Sequence, residues 1–256
     1  MNTYTGKPFF FVALPERQVS LRDWRIWPIL VLFGPKNAAK KNTMLTYAPL
    51  ENCGGIRLVS DYLSIREMYD VIVDVNERSP LIRDKEGLLL ELAHELRKAF
   101  EGQREIMDPD PRPEIGPRFG VGILWPTLLV QTRQLRDALA FIDHSKGTQS
   151  VVYALESLVE TALDSEFGGR AAEIKSQWER LDTGSRFVEE NVETRIAQFA
   201  VWTKAERRNG LGGLLASLSS MYESLYAIWL NQGVKHLVAP EDFDKWKAVE
   251  FPDPKC

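Results

Sequence analysis

Glu91-Leu92-Ala93-His94-Glu95 is the one place in this 256-residue chain where a carboxylate and an imidazole stand three residues apart with a second carboxylate beside them. On a helix, Glu-x-x-His puts both groups on one face a single turn apart, as in the carboxylate-bridged two-metal sites of helix bundles. Such a site needs a second Glu-x-x-His and two further glutamates. His144 follows Ala140, Phe141, Ile142 and Asp143, and His236 follows Gly233, Val234 and Lys235, so neither supplies the repeat. Glu91, His94, Glu95 and Lys98 also lie opposite the apolar stripe Leu89, Leu92 and Leu96, which predicts a solvated face for them. Asp143-His144 is the other neighbouring acid and imidazole pair. It is expected to end a helix, where a histidine serves the terminal carbonyls.

Other patterns that carry chemistry are incomplete. Gly120-Val121-Gly122 lacks the third glycine at a helix start, so it reads as a strand position where another backbone comes close. Asn209-Gly-Leu-Gly-Gly213 follows a helix rather than a strand, the wrong context for a phosphate loop, and reads as a break between helices. Cys53 and Cys256 are the only cysteines, which excludes a disulfide framework and a four-cysteine zinc site. The sequence thus assigns no catalytic residue, no metal ligand and no cofactor. A metal-dependent enzyme built on Glu91, His94 and Glu95, with Asp143 or His144 folded near, stands as the alternative.

The elements that would position these residues are centred on residues 119 to 166, a strand feeding an αα-hairpin. Phe119 to Leu124 is a short apolar run, and Trp125-Pro126-Thr127 starts a helix because proline suits a first turn. Leu128, Leu129, Thr132, Leu135, Leu139 and Ile142 form one stripe. Val151, Val152, Leu155, Leu158, Val159, Ala162 and Leu163 form a second. Upstream, Pro8 to Leu14 and Trp27 to Phe33 read as strands, as do Met44 to Tyr47 and Gly55 to Ser60. Ser64-Ile-Arg-Glu67 has capping-box spacing for a helix ending at Ser79-Pro80, and a further helix runs from about Asp84 to Phe100. Met107 to Arg118 is too rich in proline for helix or central strand. Downstream, Ile174 and Trp178 mark a short helix. Ser185 to Arg208 is the longest helical pattern, its basic end suited to a helix C-terminus. Leu214 to Leu230 reads as one helix, apolar around most of its circumference, and Pro240 opens a last short one.

The expected fold is α+β, mainly α: a small N-terminal β element packed with a multi-helix bundle built on the central αα-hairpin. Three regions are expected. Residues 1–43 form a basic β segment or extension, 44–166 a β unit with helices and the central hairpin, and 167–256 a C-terminal helical region. The first region is +5, leaving the rest at -9 within a total of -4. An acidic body argues against a large nucleic-acid footprint, so only weak contact through Arg17, Arg22, Arg25, Lys36, Lys40 and Lys41 is open to it. Glu223 near the middle of Leu211 to Leu230 argues against a membrane span there. With seven tryptophans and surplus apolar helix surface, the chain reads as a cytoplasmic, non-catalytic interaction protein or accessory subunit. It is expected to bind a protein partner and to form homo-oligomers through its C-terminal helices.

Overall fold

The structure, a computed structural model, describes residues 45–107 and 116–247. The expected strands at Pro8 to Leu14 and Trp27 to Phe33 lie outside the described residues. The fold is α+β and mainly helical. Four strands, β1 (Thr46–Pro49), β2 (Gly55–Asp61), β3 (Glu105–Met107) and β4 (Arg118–Leu124), form an antiparallel sheet in the order β1-β2-β4-β3. Ile56 pairs with Ile123 and Leu58 with Val121, so one face of alternate residues enters the core. On the other face, the Arg57 guanidinium reaches Glu105 at 2.7 Å. Gly120 leaves room for it, since a Cβ there would meet Met107 Cε at 2.6 Å and Arg57 Cδ at 3.0 Å. The close approach expected at this glycine is therefore made by side chains rather than by another backbone.

Helix α1 (Tyr62–Arg78) follows β2 without a loop. Its N-cap is Asp61, whose carboxylate accepts the Ser64 N–H at 3.0 Å and the Ser64 hydroxyl at 2.9 Å. Ser64 is thus the third residue of the helix rather than its cap, and Asp61 supplies the capping acceptor. Helix α2 (Leu88–Phe100) starts at Leu88 instead of near Asp84, which holds a turn through Glu86 N–H. Helices α3 (Trp125–Leu139) and α4 (Lys146–Phe167) are the expected central hairpin, with Pro126 in the first turn of α3 and Ser145 capping α4. At 22 residues, α4 is the longest helix described. Trp178 in α5 (Ala171–Glu179) donates to the Leu129 carbonyl at 2.7 Å, and Gln131 donates to the Leu88 carbonyl at 2.8 Å. One buried cluster runs from Ile56 to Phe243 through both halves of the chain.

Two corrections concern the C-terminal helices. The pattern from Ser185 to Arg208 is two helices, α6 (Arg186–Val201) and α7 (Lys204–Ala216), broken at Trp202 and Thr203. Thr203 and Glu206 form a capping box: Glu206 accepts the Thr203 N–H at 2.7 Å and its own N–H donates to Thr203 Oγ1. The basic residues therefore open α7 rather than close a helix. Arg207 nevertheless serves a C-terminus, by turning back to donate to the Phe199 and Ala200 carbonyls at the end of α6, at 3.1 and 2.6 Å. Asn209 to Gly213 lies inside α7 and is no break. Its glycines are there for close packing: a Cβ on Gly213 would sit 2.1 Å from the His236 carbonyl oxygen.

Candidate interaction surface

Leu214 to Leu230 is likewise not one helix. Helix α7 stops at Ala216, and α8 (Tyr222–Asn231) begins after a turn. Arg195 of α6 donates to the Ser217 carbonyl at 3.1 Å, the carbonyl that a continuing helix would offer to the Met221 N–H. That N–H turns to Ser219 Oγ instead, at 3.3 Å. Serines that offer local acceptors in this way favour turns over helix interiors.

The apolar residues of the expected single helix consequently meet two different fates. Leu211, Leu214, Leu215 and Leu218 are buried, whereas Tyr222 is the one buried residue of α8. Tyr222 is clamped to the chain that follows: its hydroxyl donates to the Val238 carbonyl at 2.7 Å and accepts from the Val238 N–H at 3.0 Å. Its ring lies 5.9 Å from those of Tyr226 and Trp229, both half-buried. Burial pushes the Tyr222 phenol up to about 12. Beyond this inner face the helix stands in solvent. Met221 is 56% exposed, Ile228 49%, Leu230 54% and Val234, just past the helix, 44%. Gly233, with φ of 77°, turns the chain so that the Val234 N–H bonds to the Trp229 carbonyl at 3.0 Å, a helix-closing motif suited to glycine.

The residues singled out for chemistry are placed apart. Glu95 is 8% exposed, which corrects the solvated face expected for it. Arg104, just before β3, donates to both of its oxygens at 2.7 and 2.9 Å, and Lys98 donates at 3.0 Å. Burial works against the Glu95 carboxylate, but these hydrogen bonds outweigh it and hold its pKa below the ordinary value. Glu91 and His94 are half-buried. Burial first, then the charges of Glu193, Glu95 and Asp84, push the Glu91 carboxyl up to about 8. Burial and the nearby Arg97 and Lys98 lower His94. His144 lies beyond α3 in an exposed turn with its Nδ1 2.9 Å from the Ile142 carbonyl, and the Asp143 carbonyl accepts from Arg78 at 2.6 Å. Among the described residues, no group of three or more His, Cys, Asp or Glu is placed to hold a metal ion. The basic residues from Arg17 to Lys41 lie outside the described residues.

Two further places carry polar chemistry that sequence reasoning missed. Cys53, in the turn between β1 and β2, is buried with φ of 53°, following Asn52 at 57°. Burial and a hydrogen bond with Glu166 raise its thiol, which keeps it protonated rather than nucleophilic. A cleft of about 620 Å³ opens beside α3, α4 and α5. Its arginines are taken: Arg133 meets Asp137 at 3.1 Å and Arg136 meets Glu156 at 3.4 Å. Among the described residues, neither place joins a nucleophile to a base and an oxyanion donor, the constellation that serves acyl transfer. Among the described residues, α8 combines exposed apolar side chains on its outer side with an inner face clamped through Tyr222.

The molecule is a mainly helical α+β protein with a small antiparallel sheet and, among the described residues, a helix α8 exposed on its outer side. It belongs to the family described as domain of unknown function DUF6904, whose model matches residues 45–254. No curated protein and no solved structure matches the chain. No helix among the described residues is long and apolar enough to cross a membrane.

Proposed function

We propose that this chain works by binding protein, its own second copy first, as a non-catalytic accessory subunit with α8 as the contact helix. The exposure of Met221, Ile228 and Leu230 on a helix whose inner face is fixed by Tyr222 carries this reading. Its setting is the cytoplasm, which suits a chain with two cysteines and no disulfide framework. Residues 167–256 supply the contact, and residues 44–166 the sheet and hairpin that support it.

Four half-exposed apolar side chains per copy make a small interface beside the roughly 800 Å² per partner of a standard one, so a micromolar dimer is expected. Sedimentation velocity of the full chain from about 5 to 200 µM, with Ile228→Asp and Leu230→Asp alongside, tests it. The wild type should shift from monomer to dimer across that range, while both variants stay monomeric with unchanged thermal transitions. A wild type that remains monomeric at 200 µM would sink the reading.

A further inference from the structure

We infer that residues 236–247 form a detachable strap, seated in a groove of α6, α7 and α8 as a peptide ligand would be, and that this groove takes the strap of a second copy by exchange. Exchange of this kind goes beyond the reading of α8 as a contact helix and makes no use of its outer face. The strap begins at His236, passes through a short 3-10 helix (Pro240–Phe243) and ends in α9 (Asp244–Lys247). It is anchored at separated points. At its start the backbone lies flush on α7, where a Cβ on Gly213 would come 2.1 Å from the His236 carbonyl oxygen and 3.3 Å from Leu237 Cα. Val238 has both backbone groups on the Tyr222 hydroxyl. Phe243, 2% exposed, has Arg195 Cζ 4.0 Å from its ring centre, and Trp246 Nε1 donates to Gln198 Oε1 at 2.7 Å. Glu241, Asp242, Asp244 and Lys245, between these anchors, are exposed. Buried anchors separated by outward polar residues are how a groove reads a bound peptide.

Much of the groove is built without the strap. Every hydrogen bond of Arg195 among the described residues goes to Asn191, Thr194 or Ser217, so α6 and the turn after α7 set in place the guanidinium that meets Phe243. The hinge is short and strained. Residues 232–236 are exposed and join α8 to the strap through two left-handed backbones, Gly233 at φ of 77° and His236 at 61°. For His236, which carries a side chain, that conformation is disfavoured roughly tenfold. Short hinges under strain favour exchange of the element beyond them, because a straightened hinge sheds the strain while the exchanged strap makes the same contacts in an identical groove. A second copy is the occupant that the contacts themselves select, since it carries the same anchors at the same spacing. At low concentration each strap returns to its own copy, because a short linker holds it at an effective concentration of about a millimolar. Exchange takes over where copies are crowded or where the hinge is too short for return.

Two measurements on the full-length chain test the strap and its exchange. In the first, Phe243→Ser with Trp246→Ser vacates the groove, and a fluorescein-labelled peptide of residues 236–247 is titrated in and read by anisotropy. The vacated chain should keep its thermal transition and bind the peptide about tenfold or more tightly than wild type, whose own strap fills the groove. Equal affinity for the two chains, no binding to the vacated chain at about 0.5 mM peptide, or loss of the thermal transition on vacating would each overturn the detachable strap. Amide hydrogen exchange on wild type decides the same point without substitution. The Val238 N–H should exchange about tenfold or more faster than buried amides of α6, and equal rates would show that the strap opens only with the whole fold. The second measurement removes residues 233–235, which joins Gln232 to His236 and leaves the strap too short a path to its own groove. Combined with Ile228→Asp, to dissolve any pairing through α8, this chain should elute as a dimer with a cooperative thermal transition. A monomer, or a chain that no longer unfolds cooperatively, overturns the exchange and leaves the α8 reading standing, whereas a wild type without an α8 dimer leaves the exchange standing.

Discussion

Replacing Tyr222 by phenylalanine removes one oxygen atom and keeps the ring that packs under α8. That oxygen both donates to the Val238 carbonyl and accepts from the Val238 N–H, and Tyr222 and Val238 are both buried. Each backbone group left without a partner in a buried position costs about 1 to 3 kcal/mol, so the pair should cost about 2 to 4 kcal/mol once partial access of water is allowed. For a chain of this size each kcal/mol lowers the thermal midpoint by roughly 2 to 4 °C, which predicts a fall of about 5 to 15 °C. Calorimetry of Tyr222→Phe beside Tyr226→Phe gives the decision, because the Tyr226 hydroxyl makes no hydrogen bond among the described residues and its loss should be close to neutral. The two variants behaving alike would show that the Tyr222 hydroxyl does not hold the 236–238 segment, and the clamp beneath α8 would have to be explained by ring packing alone.

Glu91 should make stability fall with rising pH. Its folded pKa of about 8 stands above the ordinary 4.5, so its favourable contribution is complete below about pH 4.5 and is lost as pH rises through about 8. Glu91→Gln should therefore gain roughly 2 kcal/mol over wild type at pH 9, after allowance for screening by water, and parallel urea-unfolding profiles from pH 5 to 9 would contradict it. Gly213→Ala places a methyl carbon against the His236 carbonyl oxygen, 2.1 Å away before relaxation. It should cost about 1 to 3 kcal/mol, despite alanine's better helix propensity, and a variant as stable as wild type in urea would show that the 236–238 segment yields freely.

The central hairpin was legible because β4, α3 and α4 each keep one hydrophobic period and carry local start signals in Pro126 and Ser145. The C-terminal half was harder to read because its apolar content marks two different things. Leu211 to Leu218 is apolar for burial, and Met221 to Leu230 is apolar although it is largely uncovered; periodicity alone does not separate them. A local signal for the break before α7 was present in Thr203-Lys-Ala-Glu206, which has the same capping spacing as Ser64 to Glu67. The break before α8 was signalled locally only by Ser217, Ser219 and Ser220, and the contact of Arg195 with Ser217, made from 22 residues away, is one that no local pattern shows. Glu95 was misplaced for a similar reason. Its burial is made by Arg104, which lies beyond the end of its own helix and outside any helical-wheel count.

The two ends of the molecule hold their structural arginines by different means, Arg195 and Arg207 being buried and Arg104 exposed. Arg195 and Arg207 are satisfied by carbonyl, hydroxyl and amide oxygens, and among the described residues neither has a carboxylate within 4.0 Å. Arg104 instead depends on Glu95, whose contribution is present above its ordinary pKa and is lost as pH falls through the lower folded value. Acid therefore removes the counter-charge that joins α2 to β3, while the guanidinium contacts that fix α6 to α7 and to the turn before α8 have no proton to gain. Under acid stress the chain should come apart from its sheet edge inward, with the arginine-pinned helices among the last parts to separate.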